Sequence, residues 1–219
     1  MDGQSAGSDL VKGGASVKSF SKHALFFQHG DPYQGVYIII SGIVKLYRNG
    51  PFGRQIVIRI VHAGESFAEG PMVKGEPNRR YLLSARALED TRALFLPIKI
   101  IDELVESRPG IYKAFMQSMG NGIERVLDHF EAVGLLSVPG RLILYLLNHA
   151  IFDDKINGKI VDLSVSKKTL AGYLGTVPET LSRAFRQLLD EGMISYEGSR
   201  IVIVDPGRMR KILHGEEKI

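Results

Sequence analysis

Between Ser166 and Ile194 the chain reads SKKTLAGYLGTVPETLSRAFRQLLDEGMI. Glu179 and Arg183 stand four residues apart there, with Thr180, Ser182 and Arg186 around them. On a helix that spacing places the carboxylate and the guanidinium on one face, a turn apart. An arginine can donate two hydrogen bonds to the O6 and N7 edge of guanine, and a glutamate can accept from the N4 amine of cytosine. The two side chains together could therefore read both halves of one G·C pair. Ser182 is short enough to meet an adjacent base or a phosphate. From Ser166 to Arg186 four cations (Lys167, Lys168, Arg183 and Arg186) face one anion, Glu179. The plainer reading is an i,i+4 surface ion pair worth ~0.3–0.5 kcal/mol. The local excess of positive charge favours a nucleic-acid surface.

Such a surface needs elements to hold it. Ala171, Leu174, Val177, Leu181, Phe185 and Leu188 are spaced to pack two helices across a tight turn, and Gly175 sits where that turn belongs. Thr176 followed by Glu179 has the spacing of a capping box, and Pro178 suits a first helical turn because its missing N–H costs nothing there. The second helix is thus expected to begin near Val177. MISYEGSRIVIVD reads as a hairpin turning at Glu197-Gly198-Ser199, a wing whose Arg200 can rest on a phosphate backbone. Asp205 and Pro206 read as the cap and first turn of a last helix. Upstream, RLILYLLNHAIF reads as an apolar helix and KINGKIVDLSV as a hairpin with an Asn-Gly turn.

The N-terminal half has another rhythm. GVYIIISG, IVKLYR, RQIVIRIV, YLLSARAL and TRALFLP are strand-length runs rich in β-branched and aromatic residues, separated by turns such as Asn49-Gly50-Pro51 and His62-Ala63-Gly64. They predict an antiparallel roll. After Pro97 a short helix stops at Pro109 and a long one follows. On it Phe115, Met119, Ile123, Val126, Phe130 and Val133 recur at spacings of three and four, close to a coiled-coil seam that would pair two subunits. SVPG at Ser137–Gly140 reads as a hinge. The expected organisation is α+β: a flexible arm over 1–19, a roll over 20–98, a helical linker over 99–136 and a winged helix-turn-helix over 137–219.

Composition narrows the chemistry. The chain has 219 residues, no cysteine and a formal net charge of +4. Disulfides, thiolate zinc sites and cysteine-ligated iron–sulfur clusters are therefore excluded. No apolar run is long enough to span a bilayer and the first residues have no signal-peptide core, so the expected location is the cytoplasm, with no membrane partner. No catalytic constellation stands out. GGASVKS has Val17 where a phosphate loop needs glycine before Lys18, and neither H-E-x-x-H nor G-x-S-x-G occurs. The reading is a regulator and not an enzyme. A nucleotide-binding module acting on a protein partner is the other class weighed, and it would show no salt-sensitive DNA affinity.

A roll, a long helix, a hinge and a winged helix-turn-helix, in that order, resemble the CRP/FNR family of bacterial transcription regulators from about Phe20 to Ile212. GDPYQGVYIIISGIVKLYR resembles the family's cyclic-nucleotide-binding signature at Gly30, Asp31, Tyr37 and Gly42, and HAGESFAE its phosphate cassette at Gly64 and Glu69. ETLSR carries the E-x-x-S-R pattern at Glu179, Ser182 and Arg183, nearer the FNR branch. The resemblance implies a homodimer on double-stranded DNA with TTGA…TCAA-like half-sites. It further implies contact with RNA polymerase; the loops near Asn49–Arg54 and Asp153–Lys159 resemble the family's activating regions in position only, and activation or repression depends on where the site lies in a promoter.

The resemblance also implies a small-molecule effector in or beside the roll. Glu69 aligns with a ribose-binding carboxylate and Arg79 with a phosphate-binding arginine. Three positions depart from the cAMP pattern. Arg80 replaces the serine after that arginine, Ala68 the glycine before Glu69, and Val126-Leu127 a Thr-Ser pair on the long helix. These losses argue against cAMP. A simple Glu69–Arg79 ion pair is the plain alternative. Without cysteine the oxygen-sensing cluster of FNR is excluded. Haem, as in the nitric-oxide-sensing Dnr-type and HcpR-type branches, would need an axial ligand. His129 is the first candidate, followed by His23, His29, His62 and Met72; an unidentified organic or anionic ligand, or constitutive activity, is the remaining alternative.

Overall fold

The computed structural model describes residues 14–51, 55–73, 78–107, 109–154, 156–163, 165–198 and 200–219. The chain forms two compact units, the first ending at Val126 and the second running from Leu127 to Ile219.

The first unit is the expected roll. One antiparallel sheet contains β1 (Ser16–Phe20), β3 (Gly35–Ser41), β6 (Ser66–Phe67) and β8 (Thr91–Pro97), ordered β1-β8-β3-β6. The other contains β2 (Leu25–Phe27), β4 (Val44–Asn49), β5 (Gln55–Val61) and β7 (Ser84–Ala87), ordered β2-β7-β4-β5. Tyr37, Ile39, Phe67 and Phe95 from the first sheet and Phe27, Val44, Leu46, Val61 and Ala85 from the second form one buried cluster. Its aromatic rings do much of the packing: Tyr37 stacks on Phe67 at 5.3 Å, and Phe27 stacks on Tyr81 at 3.6 Å. Gly42 has a φ of +96°, and a Cβ there would fall 2.4 Å from Thr91 Oγ1, so this turn admits only glycine.

One boundary differs from expectation. The roll begins at Ser16, because Ser16–Phe20 pairs residue for residue with Phe95–Thr91 of β8. The arm expected over 1–19 therefore ends sooner, and its residues 1–13 lie outside the described residues. GGASVKS accordingly runs into a strand, with Ala15 buried, and opens no helix.

A short helix α1 (Gly70–Val73) follows β6. Helix α2 (Ile98–Ser107) and the long α3 (Pro109–Leu135) follow β8. The second unit holds α4 (Val138–Asn148), β9 (Ile151–Asp153), β10 (Gly158–Asp162), α5 (Lys167–Tyr173), α6 (Pro178–Asp190), β11 (Ile194–Glu197), β12 (Arg200–Ile203) and α7 (Pro206–Leu213). Its strands form one antiparallel sheet ordered β11-β12-β10-β9. Ile151 and Phe152, read as the end of a helix, belong instead to β9, because the chain turns at His149. Asn157, with φ +48°, makes the predicted turn into β10. Ser137, expected in a hinge, caps α4 by accepting from Gly140 N at 3.3 Å. The break between α3 and α4 is thus a tight helix-to-helix junction. The last turns of α3 already pack within the second unit: Ala132 is buried and His129 stacks on Tyr173 at 4.5 Å.

Candidate nucleic-acid interface

Helices α5 and α6 are the predicted pair, and their separation into a buried and an exposed face is sharp. Leu181, Ala184, Phe185 and Leu188 of α6 are buried, as are Thr169, Leu170 and Ala171 of α5. Glu179, Ser182, Arg183 and Arg186 face solvent, with Thr180 half-buried between them. The sequence dictates this split, since the apolar residues recur at three and four while the polar ones fill the opposite arc.

The start of α6 differs in detail. The N-cap residue is Val177, whose side chain cannot cap, and Pro178 takes the first helical position. The Thr176–Glu179 capping box does not form. Thr176 instead donates its N–H to Ala171 O at 2.9 Å in the turn. Val177, expected in the packed seam, is 48% exposed. Nor do Glu179 and Arg183 pair, because Arg183 Nη2 donates to Thr180 Oγ1 at 3.1 Å. Among the described residues Glu179 has no ion-pair partner, so both reading groups remain available to an outside ligand.

Ser166 caps α5, accepting from Thr169 N at 3.2 Å. Lys167 and Lys168 follow it, exposed, at the helix end where the dipole disfavours cations. A phosphate placed there would offset that cost. Arg200, the wing arginine, is less free than expected: its guanidinium lies 3.2 Å from Asp153 Oδ2 and 3.7 Å from Asp162 Oδ2.

Two side chains that sequence reading passed over complete the motif. Arg141 Nη1 of α4 donates to Leu174 O at 2.6 Å, and Leu174 is the C-cap of α5. Arg208 Nη1 of α7 donates to Glu191 O at 2.9 Å, and Glu191 is the C-cap of α6. Arg208 also meets Glu191 Oε2 at 2.8 Å and Glu217 Oε1 at 2.6 Å. Neither arginine follows a helical or strand period, so only tertiary contact reveals its role.

The expected effector residues divide between the units. In the first, Glu69 is buried and accepts from Ser66 Oγ at 2.5 Å and from Ser118 Oγ of α3 at 3.1 Å. The plain alternative of a Glu69–Arg79 pair is not what forms. Arg79 is half-buried, and Arg80 turns back to donate to Gly30 O at 2.7 Å. Ala68 adopts φ +70°, a left-handed geometry that glycine takes more readily. Nearby, burial pushes the Glu65 carboxyl up, but the His62 N–H, Arg59 and Arg125 outweigh it and hold the carboxyl below its ordinary range. Arg59 Nη2 and Arg125 Nη2 lie 2.9 and 3.3 Å from Glu65 Oε1. Val126 and Leu127 are exposed. His129 lies in the second unit, where burial and then Arg141 lower its pKa. Of the further haem-ligand candidates, His23 and His29 are exposed, His62 is half-buried, and Met72 packs against the roll's second apolar cluster.

The expected seam is also divided. Phe115 is 7% exposed and packs with Val36, Leu96 and Ile101, so its surface is spent within its own unit and is not free to join a partner. Met119 is half-buried, whereas Ile123, Val126, Phe130 and Val133 are exposed, Phe130 at 77%. Among the described residues, no cluster of histidines and carboxylates could hold a metal ion, and no helix is long and apolar enough to cross a membrane.

Comparison with known proteins agrees with this layout. Residues 17–108 match the cyclic nucleotide-binding domain and residues 140–212 the Crp-like helix-turn-helix domain. The chain is 27% identical to the transcriptional activator protein anr of Pseudomonas aeruginosa over 90% of its length and 79% of that relative. It is 26% identical to the CRP-like cAMP-activated global transcriptional regulator of Mycobacterium tuberculosis over 88% of its length and 85% of that relative. The structure of FixK2 from Bradyrhizobium japonicum superposes with a TM-score of 0.77 at 22% identity, covering 90% of this chain and 96% of that one. With an N-terminal cyclic nucleotide-binding domain, a long helix and a C-terminal Crp-like helix-turn-helix, this chain belongs to the CRP/FNR family of DNA-binding transcription regulators.

Proposed function

We propose that the chain is a homodimeric, cytoplasmic regulator of the FNR-like branch that binds a TTGA…TCAA-like palindrome under control of a small effector sensed at the roll. The observation that carries this reading is the solvent-facing set Glu179, Ser182, Arg183 and Arg186 on a helix whose other face is fully buried. In this reading Arg183 and Glu179 contact base edges, Ser182 and Thr180 support them, and Lys167, Lys168 and Arg186 hold phosphates. Two such helices, paired through Ile123, Val126 and Phe130 of α3, would enter major grooves about 34 Å apart. RNA polymerase is the expected further partner, reached through the loops around Asn49–Arg54 and Asp153–Lys159, of which residues 52–54 and 155 lie outside the described residues.

For the effector, Glu69 supplies a buried carboxylate whose serine donors a ligand hydroxyl could replace. The cAMP fit is poor, because Arg80 is folded onto Gly30 O where the family pattern offers a hydroxyl. Haem is tested directly by titration, with a sharp Soret band at one equivalent supporting it and a broad, unsaturable band removing it.

The deciding experiment is duplex binding by the wild type and by Arg183→Ala, with a TTGA…TCAA duplex and a scrambled one. Loss of one bidentate base contact should weaken specific binding by roughly 1–3 kcal/mol and leave scrambled-duplex binding nearly unchanged. Full-strength binding of the palindrome by the variant would overturn the assignment of the reading face.

A further inference from the structure

We infer that Arg141 and Arg208 are positioning residues for DNA recognition, each fixing the C-terminal end of one helix of the motif from a neighbouring helix. The inference rests on the DNA-binding reading of α6. A helix ends in carbonyls that have no partner within the helix, and these carry the negative pole of its dipole. In α5 and in α6 the C-cap carbonyl accepts from a guanidinium that arrives from elsewhere: Arg141 onto Leu174 O and Arg208 onto Glu191 O. Both contacts are charge-assisted, and a planar guanidinium fixes direction as well as distance.

The geometry around Arg141 is built for that contact. Gly175 follows Leu174 with φ +63°, and a Cβ there would stand 3.1 Å from Arg141 Nη1. The left-handed turn favours glycine, and a Cβ there would press the guanidinium away by a few tenths of an ångström. Burial lowers the pKa of Arg141, so the fold bears a desolvation cost to keep it at this place. Arg208 fixes the opposite side of the motif by binding three acceptors: Glu191 O, Glu191 Oε2 and Glu217 Oε1. Asp205, which caps α7 through Arg208 N at 2.8 Å, holds that arginine's own backbone.

The buried stripe of Leu181, Ala184, Phe185 and Leu188 fixes which face of α6 is hidden but restrains sliding along the axis weakly, because apolar contact has no direction. The two arginines supply the directional restraints. One fixes the turn where α6 begins and the other fixes the residue where it ends. Small errors in either would move Glu179 and Arg183 off a base edge while leaving phosphate contacts adaptable.

The test uses full-length protein carrying Arg141→Gln, Arg141→Lys, Arg208→Gln or Arg208→Lys, with Arg183→Ala as the control. Affinity is measured for the TTGA…TCAA duplex and for a scrambled duplex, well below each variant's melting temperature. The ratio of the two affinities is the readout, since a merely structural role would lower the melting temperature without changing that ratio. The glutamine variants should lose roughly tenfold in the ratio, the size of one poorly made base contact, with scrambled-duplex binding within about twofold of wild type. Partial recovery in the lysine variants is expected. An unchanged ratio in folded Arg208→Gln and Arg141→Lys overturns the inference, even where Arg141→Gln fails to fold. A wild type without preference between the duplexes would overturn the DNA reading itself, and this inference with it.

Discussion

Gly175 carries two constraints at once, a left-handed backbone and a guanidinium nitrogen 3.1 Å from where a Cβ would stand. Gly175→Ala should therefore cost about 1–3 kcal/mol of stability, read as a lowered denaturation midpoint, whereas alanine at the open Gly120 should stabilise α3 by up to about 1 kcal/mol. His129 gives a pH signature. Burial, with Arg141 beside it, lowers its pKa in the folded chain below the ordinary 6.5, so the unfolded chain binds its proton first as pH falls. Stability from this group is complete above about pH 6.5 and declines as pH drops toward the folded pKa. His129→Phe, which keeps a ring over Tyr173, should flatten thermal melts in that window, and an unaltered acid slope would refute the assignment. Glu65 behaves likewise at lower pH: its depressed pKa means stability present above the ordinary carboxylate pKa and lost as pH falls through the folded value.

At the scale of elements, α3 has one set of residues that meets the roll and another that is exposed. Ser118 and Arg125, seven residues apart, reach Glu69 and Glu65 of the roll, and a Cβ added at Gly122 between them would stand 3.7 Å from Arg59 Nη1. Ile123 and Phe130 lie exposed. A dimer seam drawn from periodicity alone included Phe115, because period cannot tell which of two neighbours an apolar side chain meets. Phe130→Glu should shift the chain toward monomer in sedimentation, with a loss of about 1.5–3 kcal/mol per buried phenylalanine, and should abolish palindrome binding at protein concentrations where wild type saturates. The roll strands, both hairpins and α6 were legible from period and turn residues. The uncapped Val177 start and the strand at Ile151–Asp153 were not: Thr176 N–H goes to Ala171 O in the turn before α6, and Ile151–Asp153 is drawn into a strand by pairing with Gly158–Ile160.

At the scale of the whole molecule, the net charge of +4 is modest, but the cations of α5 and α6 are gathered beside the reading face. Affinity for any duplex should therefore fall steeply with salt, and Lys167→Ala should reduce the slope of log K against log salt by about one while leaving sequence preference intact. An unchanged slope would remove Lys167 from the phosphate set.

The boundary between the two units falls at Val126 and Leu127, inside an unbroken helix, and not in the Ser137–Gly140 junction where a loop would suggest it. Gene fusions that graft this DNA-binding half onto a foreign sensor meet that fact first. Spliced at Ser137, the graft would arrive without His129, which stacks on its own Tyr173, without Val133, which lies beside Gly175, and without the buried Ala132. Spliced at Leu127, it would carry its own supporting helix, and the inherited heptad phase of the donor sensor would then decide whether the chimera responds to signal.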